Sequence, residues 1–243
     1  MRKLSVGKEF TVMSEYTPQF APFVMLAFLG TAFLLILSAL VLLVGWVRKS
    51  RSTLRLGMVS GATIFALYGG ILLGLSLFSK EAILPVGSRK YFCEIDCHLA
   101  YSVVDVCVTP RVGPEMQLVT SNGKFVVVRL KTWFDPSTIS AHRGDAPLTP
   151  NSRKIRLLDS SNRSYTPSTR GEAVLSSLGL ASTPLSAPLR PGESYATFLV
   201  FEVPVNTVGM RLLVTSADPE NALLWTDENS VLHKKIYFQL AST

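Results

Sequence analysis

Charged residues are scarce in this chain: they make up 17% of its 243 residues, whereas 48% are hydrophobic. That balance is too apolar for one ordinary soluble domain unless the apolar residues are concentrated in a few segments. Histidine and cysteine are also rare, with three of each. Because only three cysteines are present, at most one intramolecular disulfide can form. The chain lacks HExxH, P-loop, dinucleotide-binding and nucleophile-elbow motifs. These absences predict a protein that is not an enzyme and has no cofactor.

Two long segments contain no charged residue at all. They run from Phe23 to Val47 and from Leu56 to Phe78, 25 and 23 residues. Each exceeds the roughly 20 residues that an α-helix needs to cross the hydrocarbon layer of a lipid bilayer. The first run is longer than the apolar core of a signal peptide, and no small-x-small cleavage site follows it before Arg48. Both segments therefore predict transmembrane helices, and the first is expected to remain as an anchor.

The residues between these segments set the expected orientation. Arg48, Lys49, Arg51 and Arg55 lie in the loop 48–55, which contains no acid. Such a cluster favours the cytoplasmic side, which places both the tail 1–22 and the chain beyond the second helix outside. The net charge of +7 divides into +5 for residues 1–87 (8 basic, 3 acidic) and +2 for residues 88–243 (16 basic, 14 acidic). The excess lies at the membrane flanks, so no nucleic-acid surface is expected.

Small residues form a stripe along the second apolar segment. Ala62, Ala66, Gly70 and Gly74 recur at every fourth position, and Gly57 and Gly61 are a further pair. Small side chains let helix backbones approach closely in lipid, so the stripe predicts a helix contact face. Its partner is either the first helix, near Ala27, Gly30 and Thr31, or another membrane subunit. Neither segment contains an ionisable residue, which argues against an ion or proton path.

The composition changes after Gly87 to short segments rich in β-branched and aromatic residues, separated by turn residues. Six of them predict strands, at 101–108, 124–133, 154–158, 195–203, 210–214 and 233–240. The segment 195–203 is apolar on both faces, which predicts a central strand. In the last segment Leu232, Ile236, Phe238 and Leu240 alternate with polar residues and are expected to be buried.

Two local signals refine this β domain. Asn122-Gly123 lies between two apolar runs and predicts a two-residue hairpin turn. Thr169 and Glu172 have the spacing of a capping box and Gly179 is a stop signal, so a short helix is expected between them.

Three stretches carry a family resemblance: "FVVVRLKTWF", "RLLDSSNRSYTPS" and "LRPGESYATFLVFEVP". They resemble a bacterial immunoglobulin-like domain family of unknown function, found in secreted lipoproteins and membrane-anchored proteins. Its pattern is a valine-rich strand, an "L.D..G..Y" strand pair and an "L.PG......vFevP" strand, and the resemblance spans roughly Tyr101 to Leu240. The chain departs from the pattern at Phe134 and Asp135, where the family usually has Asn, and at the turn 160–162. The resemblance implies a β-sandwich and no particular activity.

The sequence "FCEIDCHLAY" places Cys93, Cys97 and His98 within six residues. Cysteines four apart can form a disulfide in a turn, where their α-carbons are about 6 Å apart, but not in a strand, where they are about 13 Å apart. A local Cys93–Cys97 disulfide is therefore one interpretation. The others are a bond from one of them to Cys107, three free thiols, or a Cu(I) or Zn²⁺ site made by Cys93, Cys97 and His98.

These observations predict a membrane-anchored all-β protein: a two-helix transmembrane hairpin followed, at 88–243, by an immunoglobulin-like β-sandwich with one short helix insertion. We expect it in the bacterial cytoplasmic membrane, with the sandwich on the outer side as a non-catalytic binding or structural module for an envelope protein. Two other hypotheses remain. One is a soft-metal or thiol-redox protein that uses the Cys/His cluster, and the other is an accessory subunit of a membrane complex.

Overall fold

A computed structural model describes residues 15–18, 21–93, 97–112, 119–140, 142–177, 180 and 182–240. The chain forms two compact units. One comprises Pro18–Glu81 together with Asp218–Lys235, and it contains two long apolar helices. The other contains the described residues up to Thr17, Ala82–Ala217 and the end of the chain from Ile236, and it is mostly β structure.

The two helices are α1 (Ala21–Val47) and α2 (Arg51–Leu77). Both contain the apolar segments that the sequence predicts as spans, except that α2 ends one residue before Phe78. The connection is shorter than the predicted loop 48–55, because α2 already begins at Arg51. The hydroxyl of Ser50 caps α2 by accepting a hydrogen bond from the Thr53 backbone N–H at 3.4 Å, which satisfies one of the amides that a helix start leaves open.

The helices approach each other most closely near their connection. A Cβ atom on Gly57 would lie 2.7 Å from Leu42 Cγ, and one on Gly45 would lie 2.8 Å from the Leu54 backbone nitrogen. The hydroxyl oxygens of Ser38 and Ser60 are 3.1 Å apart across the same contact. Glycine and serine therefore allow the backbones to meet here, as small residues do between helices in lipid.

The stripe at every fourth position does not form this contact. A Cβ atom on Gly70, Gly74 or Gly30 would meet no atom of the other helix within 4 Å, and Ala62, Ala66 and Gly70 are exposed. Gly57 and Gly61 do face α1. A Cβ atom on Gly61 would lie 3.6 Å from the Ser38 side chain. The reason is geometric: four residues turn about 40° beyond a full turn, so a strict four-residue stripe rotates away from a fixed neighbour.

Within the described residues the β unit contains ten strands, numbered in chain order: β1 Glu15–Tyr16, β2 Ala82–Leu84, β3 Arg89–Phe92, β4 Leu99–Val112, β5 Val119–Phe134, β6 Arg153–Leu158, β7 Ser164–Tyr165, β8 Ser194–Val203, β9 Arg211–Ser216 and β10 Ile236–Gln239. They form two sheets with the orders β1-β3-β4-β5-β8 and β2-β10-β9-β6-β7. The pairs β1–β3 and β2–β10 are parallel and the other pairs are antiparallel.

The two sheets share one hydrophobic core. Tyr101, Val128 and Phe201 of the first sheet and Leu212 and Phe238 of the second are fully shielded from solvent and belong to the same cluster. Burying each side chain of this size contributes roughly 1.5–3 kcal/mol. The β-branched and aromatic segments of the sequence therefore produce the two-layer arrangement.

A helix, α3 (Thr169–Ser177), covers part of the first sheet. The helix predicted from the Thr169/Glu172 spacing is present, but the side chain that caps it is Ser168, whose hydroxyl accepts from the Gly171 N–H at 3.3 Å. Gly171 is required for close packing, because a Cβ atom there would lie 2.4 Å from Val200 Cγ1. Gly179 lies outside the described residues.

The structure corrects three sequence-based expectations. Asn122-Gly123 is not a turn, because β5 runs through it; a Cβ atom on Gly123 would lie 2.1 Å from the Val203 carbonyl oxygen, so this glycine allows close backbone approach. The strand β8 is at the end of its sheet rather than central, and its second apolar face packs against α3. Leu232 is 62% exposed and lies before β10, which begins only at Ile236.

Candidate functional site

The segment between β3 and β4 brings two predicted site residues together. The sulfur atoms of Cys93 and Cys97 lie within disulfide-bonding distance, and their α-carbons are 4.0 Å apart. This separation excludes an extended strand between them, which would span about 13 Å. Glu94 and Asp96 lie outside the described residues. The third cysteine, Cys107, is a free, exposed thiol on β4.

His98 is only 6% exposed and is held by the segment that follows β5. Its Nδ1 atom lies 2.7 Å from the Thr138 hydroxyl oxygen, and its ring stacks on Phe134 with the ring centroids 5.6 Å apart. The Thr138 hydroxyl donates to the Asp135 carbonyl oxygen at 3.0 Å. Because that bond uses the only hydroxyl hydrogen, Nδ1 must carry a proton and donate to Thr138.

Asp135 is the centre of a buried polar cluster. Its Oδ2 atom accepts from the Tyr91 hydroxyl at 2.7 Å, and its Oδ1 atom accepts from the backbone N–H and the hydroxyl of Ser137 at 2.9 and 2.6 Å. Its own N–H donates to the His98 carbonyl oxygen at 2.8 Å. We call Tyr91, His98, Asp135, Ser137 and Thr138 the clasp, since they connect β3, the start of β4 and the end of β5.

Burial and hydrogen bonding set the ionisation of the clasp. Burial raises the pKa of Asp135, but the hydrogen bonds from Ser137 and Tyr91 outweigh it, so the pKa lies below the ordinary carboxyl value. Burial, followed by the hydrogen bond to Asp135, raises the pKa of Tyr91 well above its ordinary value. The aspartate is therefore ionised and the phenol protonated at neutral pH.

The clasp resembles a structural connection more than a reactive centre. The Ser137 hydroxyl donates its hydrogen to a carboxylate that also accepts two other bonds, and the lowered pKa of that carboxyl makes it a weak base. Tyr91 and Asp135 are 4% and 5% exposed, so a substrate has little access to either. Sequence reasoning noted Asp135 only as a departure from a family pattern; the signal that identifies it is Asp-Pro-Ser-Thr, which starts a short 3-10 helix at Pro136–Thr138.

The geometry also bears on the metal-site hypothesis. The two sulfur atoms face each other, and Nδ1 of His98 is committed to Thr138. Among the residues that the structure describes, no three His, Cys, Asp or Glu side chains are grouped closely enough to hold a metal ion. His142 and His233 lie far along the chain, and His233 Nδ1 contacts the Lys234 carbonyl at 2.8 Å.

Comparison with known proteins adds little. No protein-family model matches the sequence, and no curated protein is significantly similar to it. Among solved structures, a conserved hypothetical protein from Bacillus anthracis is similar over 51% of this chain and 89% of its own, with 16% identity and a TM-score of 0.38. A likeness this remote assigns neither a family nor an activity.

Proposed function

We propose that this protein is anchored in the bacterial cytoplasmic membrane by α1 and α2 and presents its β unit on the outer side, as a non-catalytic binding or structural module of the cell envelope. The observation that carries the proposal is the apolar surface of the paired helices. Large side chains remain exposed on the faces that do not pair, including Phe33 at 60%, Phe65 at 72% and Leu67 at 63%. Water-soluble proteins rarely expose contiguous apolar patches larger than a few hundred Å², so lipid is the solvent that fits.

The strand order supports an immunoglobulin-like architecture for the β unit. In that fold strands A, B, E and D form one sheet and C, F and G the other. Here β4-β5-β8 have the order of A-B-E, and β10-β9-β6 have the order of G-F-C. The place of strand D beside β8 is taken by Pro167, which forms an isolated bridge with Phe201 just before α3. The bridge marks the position of strand D, and α3, which follows it, packs on the outer face of the sheet.

The non-catalytic assignment is supported by the clasp. Its donors and acceptors are used internally and are shielded from solvent, which suits a structural role at one end of the sheet. The outer side would also permit a Cys93–Cys97 disulfide to form and persist. We propose that this bond and the clasp together fix the turn between β3 and β4.

Cys107 provides a direct test of the orientation, because it is the exposed free thiol. A membrane-impermeant maleimide added to intact cells is expected to label the wild-type protein and not Cys107→Ser. As a matched control, Ser52→Cys in the Cys107→Ser background places a thiol at the basic end of α2 and is expected to react only after the cells are opened. Labelling of Ser52→Cys but not of Cys107 in intact cells would show that the orientation is the reverse.

A second candidate function is an accessory subunit of a membrane complex, and the exposure of Ala62, Ala66 and Gly70 favours it. These residues leave a smooth face on α2 that α1 does not cover, where another helix could pack. Replacing Gly70 with Leu would block such a contact without touching α1. Loss of a co-purifying membrane protein in Gly70→Leu, but not in Leu67→Ile on an exposed position of the same helix, would support this function.

A further inference from the structure

The segment Asp218–Lys235 lies against α2, although most of the β unit separates the two in sequence. The Tyr68 hydroxyl donates to the Leu223 carbonyl oxygen at 2.7 Å, and the rings of Tyr68 and Trp225 have centroids 4.8 Å apart. Beyond the end of the helix, the Lys234 backbone N–H donates to the Ser79 hydroxyl oxygen at 2.8 Å. We call Asp218–Lys235 the lateral segment.

These contacts fix the depth of the lateral segment along the proposed span. A hydrocarbon layer of about 30 Å takes roughly 20 helical residues, so a layer that starts at Leu56, just after Arg55, ends near Leu75. On this scale Tyr68 lies about 10 Å inside the outer boundary and Ser79 lies outside it. Interfacial elements bury their apolar groups about 5–10 Å into the boundary between headgroups and acyl chains. The Ser79 end of the lateral segment therefore lies at the headgroups, and its Tyr68 end lies at the deep limit of the interfacial range.

The composition of the lateral segment fits that depth. Leu223, Val231 and Leu232 are about half exposed or more, at 49%, 51% and 62%, and Phe78 at the end of α2 is 86% exposed. The segment also carries ionisable side chains: Asp218, Glu220, Asp227, Glu228, His233, Lys234 and Lys235. The ionisable groups exclude a position in the hydrocarbon core, whereas the apolar groups favour removal from water. Only the membrane interface satisfies both.

Two further features point to this location. Trp and Tyr concentrate at membrane interfaces, where an apolar ring and a polar edge are both accommodated, and Tyr68 and Trp225 form such a pair. Leu232 has φ of 64°, a left-handed conformation that a leucine rarely adopts. It holds an apolar side chain exposed, next to the Ser79 contact that ties Lys234 to the end of α2.

We propose that the lateral segment is a membrane-interface element, and that lipid covers the apolar surface formed by Leu223, Val231, Leu232 and Phe78. This inference rests on the proposed membrane anchoring of α1 and α2. It assigns the segment a role separate from the β unit: the chain returns to the bilayer between β9 and β10, so the β unit is attached to the membrane at two points of the sequence.

The three tryptophans provide a depth measurement in the full-length protein. Trp46 lies near the connection of the helices, Trp133 lies on β5, and Trp225 lies in the lateral segment. Three single-tryptophan variants are made by replacing the other two with Phe and are reconstituted into phosphatidylcholine vesicles. The lipids carry bromine either near the top of the acyl chain or near its middle. We expect Trp225 to lose fluorescence to both bromines, because its ring lies beside Tyr68, about 10 Å inside the outer boundary.

The outcomes separate this inference from the proposed function. If Trp46 is quenched and Trp225 is not, the helices are inserted but the lateral segment is not at the interface, and the inference is overturned. Quenching of Trp225 by the deep bromine alone also overturns it, by placing the segment in the hydrocarbon core. If neither Trp46 nor Trp225 is quenched, membrane anchoring itself fails. Should the Trp225-only variant not fold, the difference in quenching between wild type and Trp225→Phe gives the same contribution.

Discussion

The side-chain ammonium of Lys90 donates a hydrogen bond to the backbone carbonyl oxygen of Val214, 2.7 Å away, across the core between the two sheets. The same nitrogen donates to the Ile236 carbonyl oxygen at 3.1 Å. Lys90 is on β3 in the first sheet and is 1% exposed, whereas both acceptors are in the second sheet. A buried lysine therefore connects the two layers through the protein interior.

Replacing Lys90 with Met is expected to destabilise the β unit by roughly 1–3 kcal/mol, because it leaves two buried carbonyl oxygens without these donors. Methionine keeps most of the apolar stem, so the change removes the hydrogen bonds and the ammonium contact with the Phe92 ring while it preserves most of the packing. Denaturant unfolding of the full-length protein in detergent, followed by fluorescence in a variant that keeps only Trp133, measures the effect. The control is Lys131→Met on β5, an exposed position where a change below about 0.5 kcal/mol is expected.

Burying an ammonium group costs free energy that methionine avoids. Unchanged or higher stability would show that this cost outweighs the two hydrogen bonds. That result would contradict the conclusion that Lys90 stabilises the contact between the two sheets.

Because of Asp135, the free energy of unfolding of the β unit is expected to decrease in acid. Its lowered pKa means that the folded state favours the ionised carboxylate. This contribution is complete above the ordinary carboxyl pKa of about 3.9 and is lost as the pH falls through the lower value of the folded state. The stability difference between wild type and Asp135→Asn should therefore be largest near neutral pH and shrink in acid. Tyr91→Phe, which removes one of the three hydrogen bonds to the carboxylate, should show a smaller effect in the same direction. If the curves of stability against pH for wild type and Asp135→Asn are parallel, the assignment is contradicted.

The helices and most of the strands could be predicted because their signals are local. An uncharged run of 25 residues and a β-branched segment such as Phe125–Val128 restrict the backbone without information from distant residues. Three other features depend on long-range contacts. The sequence Asn122-Gly123 is typical of a turn, but the glycine is needed because the Val203 backbone approaches it closely. Lysine is usually exposed, so the sequence does not indicate that Lys90 is buried. Only the register of β3 directs its side chain into the core. Leu232 continues an alternating pattern that the contacts of the lateral segment with α2 interrupt.

The turn between β6 and β7 needs a residue that tolerates the left-handed conformation. Asn162 has φ of 59°, and its Oδ1 atom accepts from Arg211 at 2.8 Å. Asn162→Val is expected to lower stability by about 1–2 kcal/mol, since a β-branched side chain clashes in this conformation. Asn162→Gly should be close to neutral, and thermal unfolding compares the two.

Ser161→Val is the control for Asn162→Val, because Ser161 is exposed and does not have positive φ. An equal loss at both positions would mean that valine is disfavoured throughout the turn for reasons other than backbone conformation. The Asp159 carboxylate, which accepts bonds from Ser161, Arg163 and Tyr165, is unchanged in both variants.

The helix contact can be tested with a pair of cysteines at Ser38 and Ser60, whose hydroxyl oxygens are 3.1 Å apart. In a Cys107→Ser background these two thiols should form a disulfide on mild oxidation. Adding Gly57→Val should reduce the yield, because its side chain would overlap Leu42, and such overpacking costs about 1–3 kcal/mol. Gly70→Val carries the same penalty of placing valine in a helix, but a Cβ atom at this exposed position meets nothing within 4 Å, so its yield should match the parent. Equal yields in both variants would contradict the contact at Gly57.

Thiol counting decides between the disulfide and the soft-metal site at Cys93 and Cys97. With the sulfur atoms at bonding distance and Cys107 free, the denatured protein should titrate one thiol per chain without reductant and three after reduction. Cys107→Ser should lower these counts to none and two. A metal site predicts three thiols from denaturation with a chelator alone, accompanied by one released copper or zinc ion per chain, because a metal-bound thiolate is already reduced. One thiol from wild type under those conditions therefore excludes metal ligation by this cysteine pair, since a sulfur that is bonded to another sulfur is not a thiolate.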